Sequence, residues 1–216
     1  MPKSIEKMLI FGDEIGVNQI LHYLPANRIA GVVAAFNRPE DITKIEKMAL
    51  EKKLPMLVQP PRKDEKAWDT FIENVRDLKP DGLICNSYSL LISDDLLSFV
   101  EGCAFNIHYS LLPRNRGPHP IEWVLKKKED VTGVTVHVMS AEFDKGDIIA
   151  QIPVNVLDTD TPLSLAMSLY KKSIILMETV LPRLVSGQWA GRPQDENLAT
   201  HNAPLSKEEI EILHKG

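Results

Sequence analysis

The sequence is poor in the residues that mark disulfide-rich and metal-binding proteins. Only 2 of its 216 residues are cysteine, Cys85 and Cys103, and neither belongs to a CxxC pair or to a cluster of cysteine and histidine at metal-ligand spacing. Both stand among apolar neighbours. We therefore expect two buried, reduced thiols and no metal centre.

Long apolar runs are also absent. No stretch approaches the ~20 consecutive apolar residues of a membrane-spanning helix. The start of the chain, Met1 to Glu6, lacks the apolar core of a signal peptide. These absences predict a cytoplasmic protein that makes no contact with a membrane.

Positive charge is not in excess. The formal net charge is -5 and the isoelectric point is near 5.7, which argues against binding to nucleic acid through a concentrated basic surface. The basic run Lys126 to Lys128 is interpreted as a solvated helix end. With 44% apolar residues the chain can bury a substantial core, and we predict one domain over residues 1–187 followed by a tail over residues 188–216.

The first half of the chain alternates short apolar runs with amphipathic stretches. This alternation is typical of βαβ units, in which helices connect the strands of a parallel sheet. The predicted strands are Met8 to Phe11, Ile29 to Phe36, Met56 to Val58 and Leu83 to Cys85, and the predicted helices are Val17 to Leu24, Asp41 to Lys53 and Lys66 to Leu78.

The pattern changes after residue 103. A strand from Ala104 to His108 precedes a proline-rich loop, a short helix around residues 121–125 and two strands, Gly133 to Met139 and Ile148 to Val156. The loop between these two strands is too short for a helical crossover, so they should pair antiparallel. A helix from Pro162 to about Val185 precedes the tail. The predicted fold class is α/β, Rossmann-like, with a mostly parallel sheet and an antiparallel strand pair near the C-terminal part.

Two polar side chains share one face of the strand that ends at residue 108. Period-two alternation places Asn106 and His108 on one face and Phe105 and Ile107 on the other. Open α/β sheets form their ligand crevices at the carboxyl ends of strands, where this pair lies. An isolated Asn-x-His pair is more often a polar patch at the edge of a sheet than a functional site. The choice between these two interpretations therefore depends on the residues that follow the pair.

The residues that follow carry a longer pattern. The segment Asn106 to Gly117 reads NIHYSLLPRNRG and resembles the N-x-H-x-S-L-L-P-x-x-R-G signature of the formyltransferase family. The blocks Thr132 to His137 and Phe143 to Gln151 are similar to that family's T-G-V-T and D-x-G-D-I blocks. The family includes glycinamide ribonucleotide, methionyl-tRNA and nucleotide-sugar N-formyltransferases.

By this resemblance, Asn106, His108 and Asp144 form the catalytic set of a formyl transfer from 10-formyltetrahydrofolate to an amine. Each residue type suits that chemistry. An amine that attacks the formyl carbon makes the carbonyl oxygen negative, and the Asn106 amide and a protonated His108 are suitable donors to it. The carboxylate of Asp144 can orient His108 and accept the amine's proton, directly or through water. Asp147 is interpreted as structural.

The resemblance also implies two loops that bind the folate. They are residues 86–92 and residues 140–144, and a pterin needs a mostly apolar slot with a few polar groups. Plain core packing is an equally good interpretation of each apolar residue there. The folate-binding candidates are Ser87, Tyr88, Ser89, Leu90, Leu91, Ile92, Ala141, Glu142 and Phe143. The other histidines occur singly and are interpreted as surface or internally bonded residues: His22, His119, His137, His201 and His214.

The choice of acceptor rests on differences between branches of the family. Glycinamide ribonucleotide enzymes open with a glycine and serine loop for a phosphate, whereas here Asp13 and Glu14 follow the first strand and suit a phosphate poorly. Methionyl-tRNA enzymes carry a further C-terminal domain, whereas 29 residues follow Gly187. Trp123 and the tail segment 194–200 resemble the methionyl-tRNA and nucleotide-sugar branches.

We therefore expect a small-molecule amine as acceptor, first of all a nucleotide-linked amino sugar, with tRNA disfavoured by the acidic chain. Tyr109 and Asn115 depart from the family's usual proline and tyrosine, so the acceptor side of the loop differs. Formyl transfer to methionyl-tRNA or to glycinamide ribonucleotide is the alternative within the family. Two other classes stay open: a hydrolase that releases formate from 10-formyltetrahydrofolate, and a non-catalytic folate-binding protein. Assembly into a homo-oligomer is also open.

Overall fold

The computed structural model describes residues 2–140 and 142–215. The chain forms two compact units. The first consists of Met1–Asn106 with Leu181–Trp189, and the second of Ile107–Val180 with Ala190–Gly216. The predicted division at residue 187 stays a prediction.

The first unit alternates strands and helices along the chain. The elements are β1 (Met8–Gly12), α1 (Glu14–Tyr23), β2 (Ile29–Ala35), α2 (Pro39–Lys52), β3 (Met56–Gln59), α3 (Glu65–Leu78), β4 (Gly82–Asn86), α4 (Asp94–Leu97) and β5 (Ala104–His108). The strands form a sheet in the order β3-β2-β1-β4-β5. Strands β1, β2, β3 and β4 run parallel where they pair, as the helical connections between them require.

Strands β1, β2 and β4 are buried along their whole length, as expected for central strands of a parallel sheet, which helices cover on both faces. The first helix begins where Asp13 caps it, with its carboxylate accepting from the backbone N–H of Gly16 at 2.7 Å. Gly16 itself lies so close to β4 that a Cβ would overlap the carbonyl oxygen of Asn86. The start of α1 is therefore held against the carboxyl end of β4.

The second unit contains the last residues of β5, an antiparallel strand pair and three α-helical segments. Strand β6 (Val131–Val138) pairs antiparallel with β7 (Ile148–Asn155), with Thr135 opposite Gln151. The helices are α5 (Pro120–Lys126), the first part of α6 (Pro162–Val185) and α7 (Lys207–Lys215). Trp123 of α5 donates its indole N–H to the carbonyl oxygen of Ala203, just before α7, at 2.9 Å.

The predicted α/β class and the antiparallel pair are confirmed. Helix α1 begins three residues earlier than the prediction of Val17, because the cap at Asp13 lies outside the apolar pattern. Helices α4 and α7 were not predicted, since α4 has only 4 residues and α7 is mostly charged. No helix among the described residues is long and apolar enough to span a bilayer.

Candidate active site

His108 and Asp144 meet in the second unit. His108 is the last residue of β5, and Asp144 lies in the connection between β6 and β7. The Nδ1 atom of His108 is 3.6 Å from Oδ2 of Asp144, and both side chains are largely buried. Asn106 is two residues before His108 on the same strand, at the end of the first unit.

The protonation of His108 follows from its two neighbours. Its Nε2 atom lies 2.8 Å from the carbonyl oxygen of Asn115, and because a carbonyl can only accept, Nε2 carries a hydrogen. Burial lowers the pKa of His108, and the attraction of the Asp144 carboxylate does not fully offset it. In the resting protein at neutral pH we therefore assign a neutral ring whose free nitrogen, Nδ1, faces Asp144.

Asp144 is ionised. Burial alone would raise the pKa of this carboxyl, but His108, His137 and the N–H of Gly117 together hold that pKa well below its usual value. The Gly117 amide donates to Oδ2 at 2.8 Å. A proton that arrives on His108 Nδ1 is therefore stabilised by a carboxylate already negative and fixed in place.

His137 is a member of this cluster that the sequence did not reveal. It is 2% exposed, its Nδ1 donates to the carbonyl oxygen of Val138 at 2.9 Å, and its Nε2 is 3.4 Å from Oδ1 of Asp144. In the sequence His137 looks like an isolated histidine. A usable signal existed, because the apolar residues Val134, Val136 and Val138 put His137 on the opposite, polar face of β6.

The backbone at Asp144 is unusual. Its φ is +53°, in the left-handed region that few residues other than glycine, asparagine and aspartate adopt. Gly146 follows, and a Cβ there would overlap the carbonyl oxygen of Val138. The turn that aims the carboxylate thus depends on an aspartate that tolerates this conformation and on a glycine that allows the close approach.

A buried arginine stands next to the site. Arg116 is fully buried, and its guanidinium donates to Oε1 of Gln194 and to both carboxylate oxygens of Glu196 over 2.8–3.0 Å. Gln194 in turn donates to the carbonyl oxygens of Asp144 at 2.7 Å and Gly146 at 2.8 Å. In the sequence these residues stand out only as part of a family signature and of the tail, and no local pattern indicates that they meet.

Asn115 lies beside His108, whose Nε2 atom its carbonyl oxygen accepts from. It is 2% exposed, donates to Glu129 at 3.1 Å and accepts from Lys127 at 2.7 Å. The same lysine donates to Asn202 at 2.8 Å. This part of the loop is therefore a bonded polar cluster, and Lys127 stays exposed at the end of the helix, as do Lys126 and Lys128, in agreement with the solvated helix end that the sequence suggests.

The proposed folate loops are described separately, one in each unit. In the first, Tyr88 donates to Gln59 at 3.0 Å and its ring packs edge-on against Phe11, and burial raises the pKa of the Tyr88 phenol far above its usual value. Ile92 is buried, whereas Leu91 is 59% exposed. In the second, Phe143 is 66% exposed. Ala141 lies outside the described residues.

The assignment of these two loops to folate binding stays a prediction. Leu91 in the first loop and Phe143 in the second are large apolar side chains that lie exposed. Ser89 donates to Asn37 at 2.9 Å, while Ser87, Leu90 and Glu142 complete the two loops. Among the residues that the structure describes, no group of three or more histidine, cysteine, aspartate or glutamate side chains is arranged to hold a metal ion.

The sequence matches the family model described as formyl transferase over residues 7–181. The chain therefore belongs to the formyl transferase family, and it is an enzyme of one-carbon group transfer. The resemblance stated from the motifs alone is confirmed.

Solved structures of two kinds are similar to it. Phosphoribosylglycinamide formyltransferase from Bacillus halodurans is 27% identical with a TM-score of 0.73, over 83% of this chain and 95% of that chain. The N-formyltransferase from Helicobacter canadensis, in complex with folinic acid and dTDP-3-aminofucose, is 18% identical with a TM-score of 0.74, over 95% of this chain and 72% of that chain.

A third structure is a formyltransferase from Anoxybacillus kamchatkensis in complex with UDP-4,6-dideoxy-4-formamido-L-AltNAc and tetrahydrofolate. It is 21% identical with a TM-score of 0.60, over 91% of this chain and 85% of that chain. At these identities the two sugar enzymes share the fold with this chain.

Proposed function

We propose that this enzyme transfers a formyl group from 10-formyltetrahydrofolate to the primary amine of a small molecule, first of all a nucleotide-linked amino sugar. The observation that carries the transfer reaction is the pairing of an ionised Asp144 with a neutral His108 at the end of β5. A base of this kind is what an attacking amine needs, because the amine must lose a proton as the new bond forms.

We assign the roles as follows. Bound 10-formyltetrahydrofolate supplies the formyl carbon. The side-chain amide of Asn106 donates to the formyl oxygen as it becomes negative. His108 takes the proton of the attacking amine on Nδ1, next to Asp144, and returns it to the folate nitrogen when the bond between that nitrogen and the formyl carbon breaks. Asp144 stabilises the positive ring between these two events.

The start of α1 supports the choice among acceptors. A phosphate bound there would need free backbone N–H groups, but the carboxylate of Asp13 already accepts from Gly16 at 2.7 Å. Burial raises the pKa of Asp13, and Glu14 adds a second acidic group. Phosphate at this position would displace one carboxylate and meet another.

The sugar enzymes also share the fold over a larger part of this chain, 95% for the Helicobacter canadensis structure against 83% for the Bacillus halodurans one. The tail of this chain forms part of the second unit. The larger share of this chain that the fold of the sugar enzyme covers therefore favours the nucleotide-sugar branch.

Glycinamide ribonucleotide is the second candidate acceptor, because the enzyme from Bacillus halodurans has the higher sequence identity, 27%. One experiment tests both candidate acceptors. The enzyme is incubated with 10-formyltetrahydrofolate and, separately, nucleotide-linked amino sugars, glycinamide ribonucleotide and methionyl-tRNA. Formylated product is identified by mass spectrometry as a gain of one formyl group.

We expect product with an amino sugar, and we expect the Asp144→Asn variant to form it at least about 100-fold more slowly than the wild type. Product with glycinamide ribonucleotide alone would establish the second candidate. Formate release that no amine accelerates would identify a hydrolase, and binding of the folate without turnover in any reaction would identify a non-catalytic binding protein. Either of the last two results would contradict the proposal.

A further inference from the structure

Gln194 connects a buried arginine to the turn that carries Asp144. Its carbonyl oxygen accepts two hydrogen bonds from Arg116, at 3.0 and 2.8 Å. Its amide nitrogen donates to the backbone oxygens of Asp144 and Gly146, at 2.7 and 2.8 Å. All four hydrogen bonds of this side chain are therefore used, and only glutamine or asparagine combines donor and acceptor in this way.

The turn needs such support. Asp144 has a φ of +53°, and a left-handed conformation at a residue with a side chain persists where the surroundings fix it. Gly146 approaches the carbonyl oxygen of Val138 too closely for any side chain. The carbonyl groups of this turn point at Gln194, so that their hydrogen bonds to Gln194 favour this conformation over others.

The second support reaches Asp144 through Gly117. The backbone of Arg116 donates to the carbonyl oxygen of Thr200 at 2.9 Å and accepts from the N–H of Asn202 at 2.8 Å. A Cβ on Gly117, whose φ is +95°, would lie 2.8 Å from the carbonyl oxygen of Asn202. These contacts fix the Gly117 N–H that donates to the carboxylate of Asp144.

Both supports come from one segment, residues 194–202, which we call the tail strap. We propose that the tail strap is a positioning element of the active site, which holds the Asp144 carboxylate toward His108 through Gln194 and through the Arg116–Gly117 backbone. The inference rests on the proposed function for its kinetic consequences, and its structural consequence can be measured without any substrate. Its residues act through Asp144, not on the reacting atoms.

Two variants of Gln194 distinguish its hydrogen bonds with Arg116 from its hydrogen bonds to the Asp144 turn. Gln194→Glu keeps an acceptor for Arg116 and loses both donors to the turn, while Gln194→Met loses everything at similar volume. We expect either change to lower kcat by about 10- to 100-fold, the usual cost of a catalytic group displaced by about 1 Å. KM for the folate should stay within about threefold of wild type.

The matched control lies on the same tail. Glu209→Gln breaks the exposed ion pair with Lys126, at 2.7 Å, and touches neither Arg116 nor the Asp144 turn. It should leave kcat unchanged. Equal loss in Glu209→Gln and Gln194→Met would show that the tail acts only on general stability, and the inference would be wrong.

The substrate-free measurement is the titration of His108 by NMR. Because Asp144 raises the pKa of His108, a carboxylate that turns away should let that pKa fall in Gln194→Met, which adds no charge. A His108 pKa identical to wild type in a folded Gln194→Met protein would refute the inference. If the wild type transferred no formyl group, the proposed function would fail while this titration still tested the strap.

Discussion

The Nε2 atom of His108 donates to the carbonyl oxygen of Asn115 at 2.8 Å, which leaves Nδ1 as the nitrogen that faces Asp144. His137 repeats this arrangement on the other carboxylate oxygen, with Nδ1 bonded to Val138 and Nε2 toward Asp144. A neutral His108 ring turns a lone pair toward the carboxylate, and a protonated ring turns an N–H toward it. Asp144 thus lies between two histidine rings, one near each of its carboxylate oxygens.

The first prediction concerns the charge of His108. Burial lowers the pKa of this ring, so its midpoint should lie below the ordinary value of 6.5 and the ring should be neutral at pH 7. The measurement is a titration of the imidazole nitrogens by two-dimensional NMR with a 15N-labelled protein. Asn115 supplies the second check, since Nε2 should be the protonated nitrogen of the neutral form.

The Asp144→Asn variant tests whether the Asp144 carboxylate raises or lowers the pKa of His108. The carboxylate favours the charged ring and therefore raises the pKa of His108 against burial. Removing its charge should lower that pKa further, so that the ring stays neutral to a lower pH than in the wild type. A pKa that rises in this variant, or one above 6.5 in the wild type, would contradict the assignment.

The second prediction concerns Asn106, His108 and Asp144 as one catalytic group. Asn106→Ala or His108→Ala should slow turnover by roughly 100- to 1000-fold, the usual cost of losing a group that stabilises the transition state. Asp144→Asn should cost as much or more, because proton uptake by His108 loses its partner. The measurement is kcat with saturating folate and acceptor.

Double variants test whether the three act together. Their losses should fall well short of the product of the single losses, as residues of one catalytic unit do. Folate binding, measured by fluorescence or calorimetry, should persist in each variant. Near-normal turnover in all three folded single variants would show the assignment to be wrong, and unfolding would show that these residues are structural.

The sequence predicts contacts in the site between residues that are close along the chain, and it does not predict those between residues that are far apart. Asn106 and His108 share a strand, so period-two alternation places them on one face without any tertiary information. Asp144 was assigned by family resemblance, not by the periodicity of the chain. The bridge from Arg116 to Gln194 joins residues 78 positions apart, and no local pattern pairs a loop arginine with a tail glutamine.

The same contrast between local patterns and tertiary contacts applies to the fold. Apolar runs predict the strands and helices of the sheet, because burial selects their residues. Helix α7 (Lys207–Lys215) escaped prediction, since it begins with lysine and glutamate and only Ile210, Ile212 and Leu213 are apolar. Its position depends instead on tertiary contacts, such as the ion pair of Glu209 with Lys126.

The third prediction concerns metal ions. The reaction that we propose uses the Asn106 amide, the His108 ring and the Asp144 carboxylate for proton transfer and charge stabilisation, and no step of it needs a Lewis acid. Turnover should therefore survive dialysis against EDTA. The measurement is kcat before and after dialysis, and loss of activity that one specific metal ion restores would overturn this prediction.

The last prediction concerns Asn115, which supports both the loop and the orientation of His108. Its φ is +57°, and its buried side chain bonds to Glu129 and Lys127. Asn115→Ala should destabilise the protein by about 1–3 kcal/mol, because it removes the hydrogen bonds of Asn115 to Glu129 and Lys127 and places alanine in the left-handed region. Asn115→Gly removes the same side chain without the backbone penalty, so it should be the milder change. The measurement is the free energy of unfolding of each variant, determined with urea at pH 7. Equal losses in the two variants would exclude a backbone contribution. No loss in either variant would show that the Asn115 cluster does not stabilise the loop.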